Sequence, residues 1–368
     1  MVKRIGISDV ATAAGVSATT VSHALSGQGK VSEQTRSRVE RIARELGYAP
    51  NRIASALRSR RSGIVGFVSD EIATTPFAGQ LVLGAQDAAS EAGLLLMVVN
   101  SNRDSAVEST QIAALLSQQV DAIVYAKMFH QRVVTPTLLR QVPTVLADAF
   151  DPDSRYMSVV PDEVQIATLA VETLVAAGHR DILHFTVEDD TPAKVGRLKG
   201  YNHVLDRHGV PAFQRRVITA DVEHGSPRTS QTRVAFADFL ARERPPTAVF
   251  CFNDQFAMGV YQAAAAAGLS IPHDLSVVGV DNLEIIAANL APGLTTVALP
   301  HYDMGRWAVT TAAALMAGLG PSGRVDEFEP HSVKMPCELI ERQSIAPPRS
   351  QLPRDFIHGE MSSAITGR

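Results

Sequence analysis

Ser8-Asp9-Val10-Ala11 leads through Ala14-Gly15-Val16-Ser17 to Thr20-Val21-Ser22-His23-Ala24-Leu25, and this stretch decides how the amino-terminal end folds. It reads as two short helices joined by a tight turn. Ser8 is placed to cap the first helix, Val10, Ala11 and Ala14 give it an apolar face, and Gly15 supplies the left-handed backbone that ends it. Ser17 is placed to cap the second helix. On that helix Val21 and Leu25 fall four apart and turn inward, which leaves Ala18, Thr19, Ser22 and His23 on or beside the exposed face. The pattern is a helix-turn-helix, whose second helix has the shape to enter a DNA major groove.

Charge supports this reading independently. Residues 1–61 hold eleven Lys and Arg against four Asp and Glu, a balance of +7, whereas the whole chain of 368 residues holds 34 against 38. The remainder therefore carries 23 against 34, or −11, and a basic head on an acidic body favours phosphate contact at one end only. The competing reading is a solvated basic helix on an ordinary domain, and the coincidence of the charge with a helix-turn-helix pattern weighs against it.

Beyond the motif, Ser32 is placed to cap a third helix running through Val39, Ile42, Ala43 and Leu46, with Gly47 as its stop. Pro50-Asn51 then opens a short segment, Arg52-Ile53-Ala54-Ser55-Ala56-Leu57-Arg58. So short a helix is marginal in isolation, because nucleation costs more than two turns return, and it is expected to form only when docked. On residue chemistry alone Leu57 either packs against the next domain or inserts into a partner. In the second helix, Thr19 and Thr20 offer hydroxyls to base edges or phosphates and methyls to thymine, and His23 can donate to a guanine or a phosphate. Thr20 is equally suited to capping or packing, and Ala18 offers only apolar contact.

From Gly63 the chain alternates short apolar runs with amphipathic stretches. Strands are expected at 64–68, 94–99, 122–125, 143–147, 182–185, 217–218, 248–252 and 276–280, and helices at 78–92, 106–119, 163–177 and 194–208. Alternation of this kind predicts parallel, doubly wound sheets, and two successive sets predict two α/β lobes with a cleft between them. Ligands of open α/β sheets bind beyond the carboxyl ends of the strands. Asp70, Asp148, Asn253 and Asp281 each follow an apolar strand, so they are candidate ligand contacts, with helix capping as the competing role. Phe77, in the loop after the first strand, is a candidate apolar wall for a sugar face.

The head resembles the lactose/galactose-repressor (LacI/GalR) family of bacterial transcription regulators. The resemblance is carried by Asp9-Val10-Ala11, Ala14-Gly15-Val16-Ser17, Thr20-Val21-Ser22-His23, Val31-Ser32, Leu46-Gly47-Tyr48, Pro50-Asn51, Ala54 and Leu57-Arg58. It extends to about residue 345 through Gly178-His179-Arg180, Arg197-Leu198-Lys199-Gly200-Tyr201, Phe252-Asn253-Asp254, Pro272 to Asp281 and Leu294-Thr295-Thr296-Val297. It implies an all-α helix-turn-helix head with a hinge helix, then an α/β body like the periplasmic sugar-binding proteins. The implied domains are 1–50 for the head, 51–62 for the hinge helix and linker, and 63–345 for effector binding and dimerisation. Three crossings would place about 63–161 plus 292–324 in the first lobe and about 162–291 plus 325–345 in the second.

The resemblance also implies roles. Ser17, Ala18, Thr19, Thr20, Ser22 and His23 would meet the major groove, and Asn51, Ala54, Leu57 and Arg58 the centre of the site, with Leu57 as a minor-groove wedge. Arg197 would aim a planar fork at effector hydroxyls or charges, beside Asp70, Phe77, Asp148, Asn253 and Asp281. A homodimer would bind a pseudo-palindromic DNA operator as a repressor, controlled by a sugar or related metabolite in the interlobe cleft. Two departures stand out. Leu299 occupies a position where many relatives carry glutamine, and the tail 346–368 lacks the leucine heptads that would bundle dimers into tetramers, so a disordered tail is expected.

Enzyme chemistry finds no constellation: Gly-x-Ser-x-Gly and Walker motifs are missing, and Ser26-Gly27-Gln28-Gly29-Lys30 is too short for a phosphate loop. His179 and His184 lie five apart with no carboxylate or Cys set around them, so neither a metal nor another cofactor is expected. Cys251 in an apolar strand and Cys337 in an expected strand suit a reducing cytosol. With no secretion signal and no apolar stretch of spanning length, a cytoplasmic, nucleoid-associated protein without membrane contact is expected. A periplasmic binding protein would need an export signal and no basic head, and an enzyme of sugar metabolism would turn over a sugar.

Overall fold

A computed structural model describes residues 5–26, 29–48, 61–73, 75, 78–220, 231–318 and 329–349. The expected hinge segment with Asn51, Ala54, Leu57 and Arg58 lies outside the described residues, as do Phe77 and tail residues 350–368. The described residues fall into two compact units, one within Met1–Ile64 plus Gln119–Asp121, the other within Val65–Gln118 plus Ala122–Arg368.

The first unit contains α1 (Ile7–Ala14), α2 (Ala18–Ser26) and α3 (Glu33–Glu45). Their apolar stripes meet in a core of Val10, Ala11, Ala14, Val21, Ala24, Val39, Ile42 and Ala43, with Leu25 partly buried against it. Gly15 takes φ 65° and ends α1 by donating its N–H to carbonyls of the last turn, as its lack of a side chain allows. The start of α1 corrects the expectation for Ser8, which lies inside the helix. The cap is Gly6, whose N–H donates to Asp9 Oδ2 at 2.8 Å, so the carboxylate three residues on closes the helix start. Ser17 does cap α2, accepting from Thr20 N at 3.1 Å, and Ser32 caps α3, accepting from Thr35 N at 3.3 Å.

The second unit holds two six-stranded sheets. The strands are β1 (Ile64–Ser69), β2 (Leu95–Asn100), β3 (Ala122–Arg132), β4 (Thr144–Phe150), β5 (Met157–Pro161), β6 (Ile182–Thr186), β7 (Arg216–Thr219), β8 (Ala248–Cys251), β9 (Ser276–Asp281), β10 (Thr295–Ala298), β11 (Ser332–Met335) and β12 (Glu338–Ile340). Their orders are β11-β5-β4-β3-β1-β2 and β12-β10-β9-β8-β6-β7. Strands β1, β3, β4, β5 and β11 run parallel in the first sheet, and β10, β9, β8, β6 and β7 in the second, where β12 is antiparallel to β10.

Helices cover both faces. On one side of the first sheet lie α4 (Ala78–Glu91) and α11 (His301–Met316), burying Leu81, Ala85, Ala89, Met304, Ala308 and Val309 against Phe67 and Val124. Leu115 of α5 (Ser105–Ser117) faces Gly66 of β1. The second sheet carries α6 (Glu163–Ala176) and α7 (Pro192–Arg207) in one apolar cluster, and α8 (Thr232–Arg242) with α9 (Asp254–Ala266) in another. A one-turn helix, α10 (Glu284–Ala287), follows β9.

The pairing corrects the expected division of the lobes. Thr295–Ala298 pairs with β9 and belongs to the second sheet, so the chain returns to the first lobe only with α11. Ser332–Met335 pairs with β5 in the first sheet, and the last crossing falls between β11 and β12. Cys337 therefore sits in that crossing and not in a strand, its N–H donating to Gln165 Oε1 at 2.8 Å. Leu299 packs against the α6–α7 cluster, which accounts for an apolar residue at the second crossing.

Helices α4 and α11 approach too closely for side chains between them. A Cβ on Gly305 of α11 would meet the Leu81 carbonyl of α4, and one on Gly84 would meet the Tyr302 carbonyl. Because the obstacle is backbone, relief requires the helices to separate. Gly305→Val is therefore expected to destabilise the body by about 3 kcal/mol, read as a lower urea midpoint, while Gly79→Ala, in open space on a helical backbone, changes it far less.

Candidate functional site

The first candidate surface is the outer face of α2. Val21 and Ala24 are buried against α1 and α3, and Arg36 of α3 donates to the Ala24 carbonyl at 3.2 Å, which fixes the helix from behind. This leaves Ser17, Ala18, Thr19 and His23 exposed, with Thr20 and Ser22 half-buried. Thr20 Oγ1 lies 2.9 Å from Ser17 Oγ, so its hydroxyl is already engaged in the cap. No acidic side chain occurs along α2, so nothing on it repels a phosphate.

The second candidate site lies at the carboxyl ends of the strands, where β3 breaks register. Ala126 of β3 pairs with Ala147 of β4, yet the next pair is Gln131 with Ala149. Residues 127–130 are thereby looped out at the sheet end, and Asp148 in the gap takes φ 52°. Asp70, just after β1, accepts from Met128 N at 3.2 Å, and its other oxygen lies 3.7 Å from Lys127 Nζ. Lys127 in turn pairs with Glu108 at 3.0 Å, and both Glu108 oxygens accept from Tyr125 Oη. Burial raises the Asp70 pKa, with Lys127 opposing it.

Arg197 enters from α7, nearly sealed from solvent. Its Nε donates to Glu163 Oε2 at 2.8 Å, its Nη1 to the Phe252 carbonyl at 2.5 Å, and its guanidinium lies 4.4 Å from the centre of the Phe252 ring. Glu163 is the first residue of α6, behind the Asp162 cap, and its second oxygen lies 3.2 Å from His130 Nδ1. Close approach of α6 and α7 makes the pair possible, because a Cβ on Gly196 would strike the Glu163 side chain. Burial alone would raise the Glu163 pKa, but Arg197 and His130 outweigh it and hold the carboxyl below its ordinary value.

The remaining candidates divide. Asp148 is 3% exposed, and its Oδ1 has no protein partner. Burial, then the charge of Glu163, with smaller contributions from Asp281 and Asp70, raises its pKa well above the usual range, with Arg197 opposing. Asp281, at φ 110°, is also raised, by burial and by Asp254. Asn253 caps α9, its Oδ1 accepting from Phe256 N at 2.9 Å, so one of its polar atoms serves the fold. Five of the seven buried side-chain atoms lacking a hydrogen-bond partner among the described residues lie at strand carboxyl ends: Ser69 Oγ, Asn100 Oδ1, Gln131 Nε2, Asp148 Oδ1 and Thr186 Oγ1. Because an unpaired buried polar atom costs about 1–3 kcal/mol, their concentration there makes this end of the sheets the candidate ligand surface.

Sequence reasoning missed Glu163, His130, Lys127, Asp254 and His301. Glu163 looks like an ordinary acidic residue in a first helical turn, and His130 reaches the site only through the slip in β3. Asp254 is fully buried and accepts from Leu283 N at 2.7 Å and Thr296 Oγ1 at 2.6 Å, which fixes the turn carrying Asp281. Its pKa rises to about 7, mainly through burial. His301, buried at the start of α11, is pushed down to about 4 by burial. His179 and His184 serve packing: His179 bonds Thr247 and Ser276, each at 3.0 Å, and His184 stacks on Phe250 with centroids 4.5 Å apart.

Comparison with known proteins accounts for both units. Residues 6–51 match the family described as bacterial regulatory proteins, lacI family, and residues 171–345 match the periplasmic binding protein-like domain. The chain is 31% identical to the HTH-type transcriptional regulator DegA of Bacillus subtilis over 347 residues, 93% of this chain and 98% of the relative. It is also 31% identical to the HTH-type transcriptional repressor CytR of Escherichia coli, over 91% of this chain and 95% of that one. Among solved structures, the lac repressor dimer bound to operator and the anti-inducer ONPF superposes with a TM-score of 0.72 at 25% identity, covering 94% of this chain and all of that one. A helix-turn-helix head followed by a two-sheet periplasmic-binding-like body, matched along nearly its whole length, means that the chain belongs to the LacI family of bacterial regulatory proteins.

Proposed function

We propose that the protein is a dimeric transcriptional repressor that reads a pseudo-palindromic operator through α2 and is controlled by a small, hydroxyl-bearing metabolite held between the two sheets. The observation that carries the effector half is the buried, unpartnered Oδ1 of Asp148 beside Arg197 and Asp281. A buried carboxyl group with an unpaired oxygen gains from the hydrogen bond that a hydroxyl-bearing ligand can supply. The operator half rests on the exposed face of α2 and on the lac repressor relative, a dimer bound to operator.

Two heads on one dimer reach half-sites about one helical turn apart. Between them residues 51–58 would form paired hinge helices, with Asn51, Ala54 and Arg58 on the DNA and Leu57 wedged into the central minor-groove step, which bends the site. Metabolite binding changes how the two lobes of each body are set and so the spacing at which hinge helices can pair. The size of the effect equals the difference in metabolite affinity between the two arrangements. Relatives of this kind are regulators and not enzymes, and among the described residues no helix is long and apolar enough to cross a membrane. The regulator relatives suit a protein working on cytoplasmic DNA.

Selection of bound duplexes from a random pool tests the reading directly. An inverted repeat is expected to emerge, and enrichment of no repeat over random duplex would refute it. Leu57→Ala is expected to lower operator affinity at least tenfold, about 1.4 kcal/mol, and to abolish bending in a circular-permutation gel assay. His23→Arg is expected to shift half-site preference by about 1–3 kcal/mol at one base pair, read by competition binding. Asp281→Asn should leave operator affinity intact while removing its response to any metabolite that releases the wild-type protein.

A further inference from the structure

We propose that Glu163 is the charge selector of the cleft: by neutralising Arg197 it sets the site to take an uncharged, hydroxyl-rich molecule and to reject phosphorylated or carboxylated ones. The inference rests on the effector reading above and names the ligand class for the same site. An arginine at the end of a binding cleft is ordinarily a receptor for oxyanions, because its planar fork meets two oxygens at once. Here the Nε edge of that fork is already occupied by a carboxylate, at 2.8 Å, and Nη1 is committed to the Phe252 carbonyl. One guanidinium face is closed by the Phe252 ring.

Glu163 is held rigidly in this role. Its backbone starts α6, its side chain abuts Gly196, and its second oxygen faces His130, so it cannot swing away to admit an anion in its place. Among the described residues, what the site leaves without a hydrogen-bond partner is mixed and carries no cation: the Asp148 and Asn100 oxygens, the Ser69 and Thr186 hydroxyls able to donate or accept, and the neutral amide donor Gln131 Nε2. Burial, and the charges of Glu163, Asp281 and Asp70, already disfavour a negative charge on Asp148. The same surroundings disfavour an added oxyanion, whereas an uncharged hydroxyl can pair with the Asp148 carboxyl group as donor or acceptor.

The test compares the full-length wild type with Glu163→Gln, in which the amide oxygen still accepts from Arg197. Thermal stability and calorimetric binding are measured with inorganic phosphate against chloride at matched ionic strength, and with ribose and glucose against ribose 5-phosphate and glucose 6-phosphate. The wild type is expected to ignore phosphate and both sugar phosphates, and Glu163→Gln to bind phosphate at least tenfold more tightly than the wild type. A folded Glu163→Gln protein with no such gain, or a wild type that binds phosphate as well as the variant, overturns the proposal. If the variant does not fold, the wild type decides: indifference to all three anions supports the selector, and stabilisation by any one of them refutes it. A wild type released from its operator by a sugar phosphate would preserve the repressor reading and refute the selector. A phosphate gain in Glu163→Gln, with no metabolite affecting operator binding, would support the selector and count against effector control.

Discussion

The ion pair between Arg197 and Glu163 is the constraint around which the receptor body is arranged. Removing a guanidinium and a carboxylate from water costs several kcal/mol for each ion, and at 5% side-chain exposure both are nearly sealed. The cost is offset because neither charge is left with a single partner. The guanidinium meets a carboxylate, a carbonyl and a ring face, and the carboxylate meets the guanidinium and His130. That geometry requires α6 and α7 to touch, which glycines at 196 and 200 permit. Backbone packing, a local ion pair and the chemistry of the cleft are thus a single arrangement.

The head and the body differ in how readily their sequences can be read, and the reason is distance along the chain. In the head every determinant is local: Gly15 stops α1, Ser17 and Ser32 cap the next two helices, and the apolar spacing of Val21 and Ala24 aims the outer face of α2. Only the first cap misleads, because Ser8 and Asp9 are both chemically able and the choice depends on where the first turn begins. Most strands of the body are equally plain as apolar runs. Short β5, ending at Pro161, is not, since neither its length nor its composition separates it from a loop.

What the body conceals is set by pairing between distant segments. Nothing near Thr295 says which sheet it will join, and the answer lies in its register with Val278. Asp148 and Asp281 are legible as strand-end acids, but their left-handed backbones and the looped-out residues of β3 are not. Glu163 and His130 become site residues only when that loop meets α6. Asn253 illustrates the converse, since a residue at the expected place spends one polar atom on the helix that follows it.

The interleaving of the two sheets has a consequence for how the chain is made. The three-helix head closes on itself within Gly6–Tyr48 and can fold as soon as that stretch leaves the ribosome. The first sheet, by contrast, is missing α11 and β11 until synthesis passes Met335, long after its five other strands have emerged. The edge of β5 and the apolar face of α4 must wait through translation of almost the whole second sheet. A nascent chain therefore carries a finished DNA-reading module ahead of a half-built receptor, and chaperone demand falls on the segment between them in time.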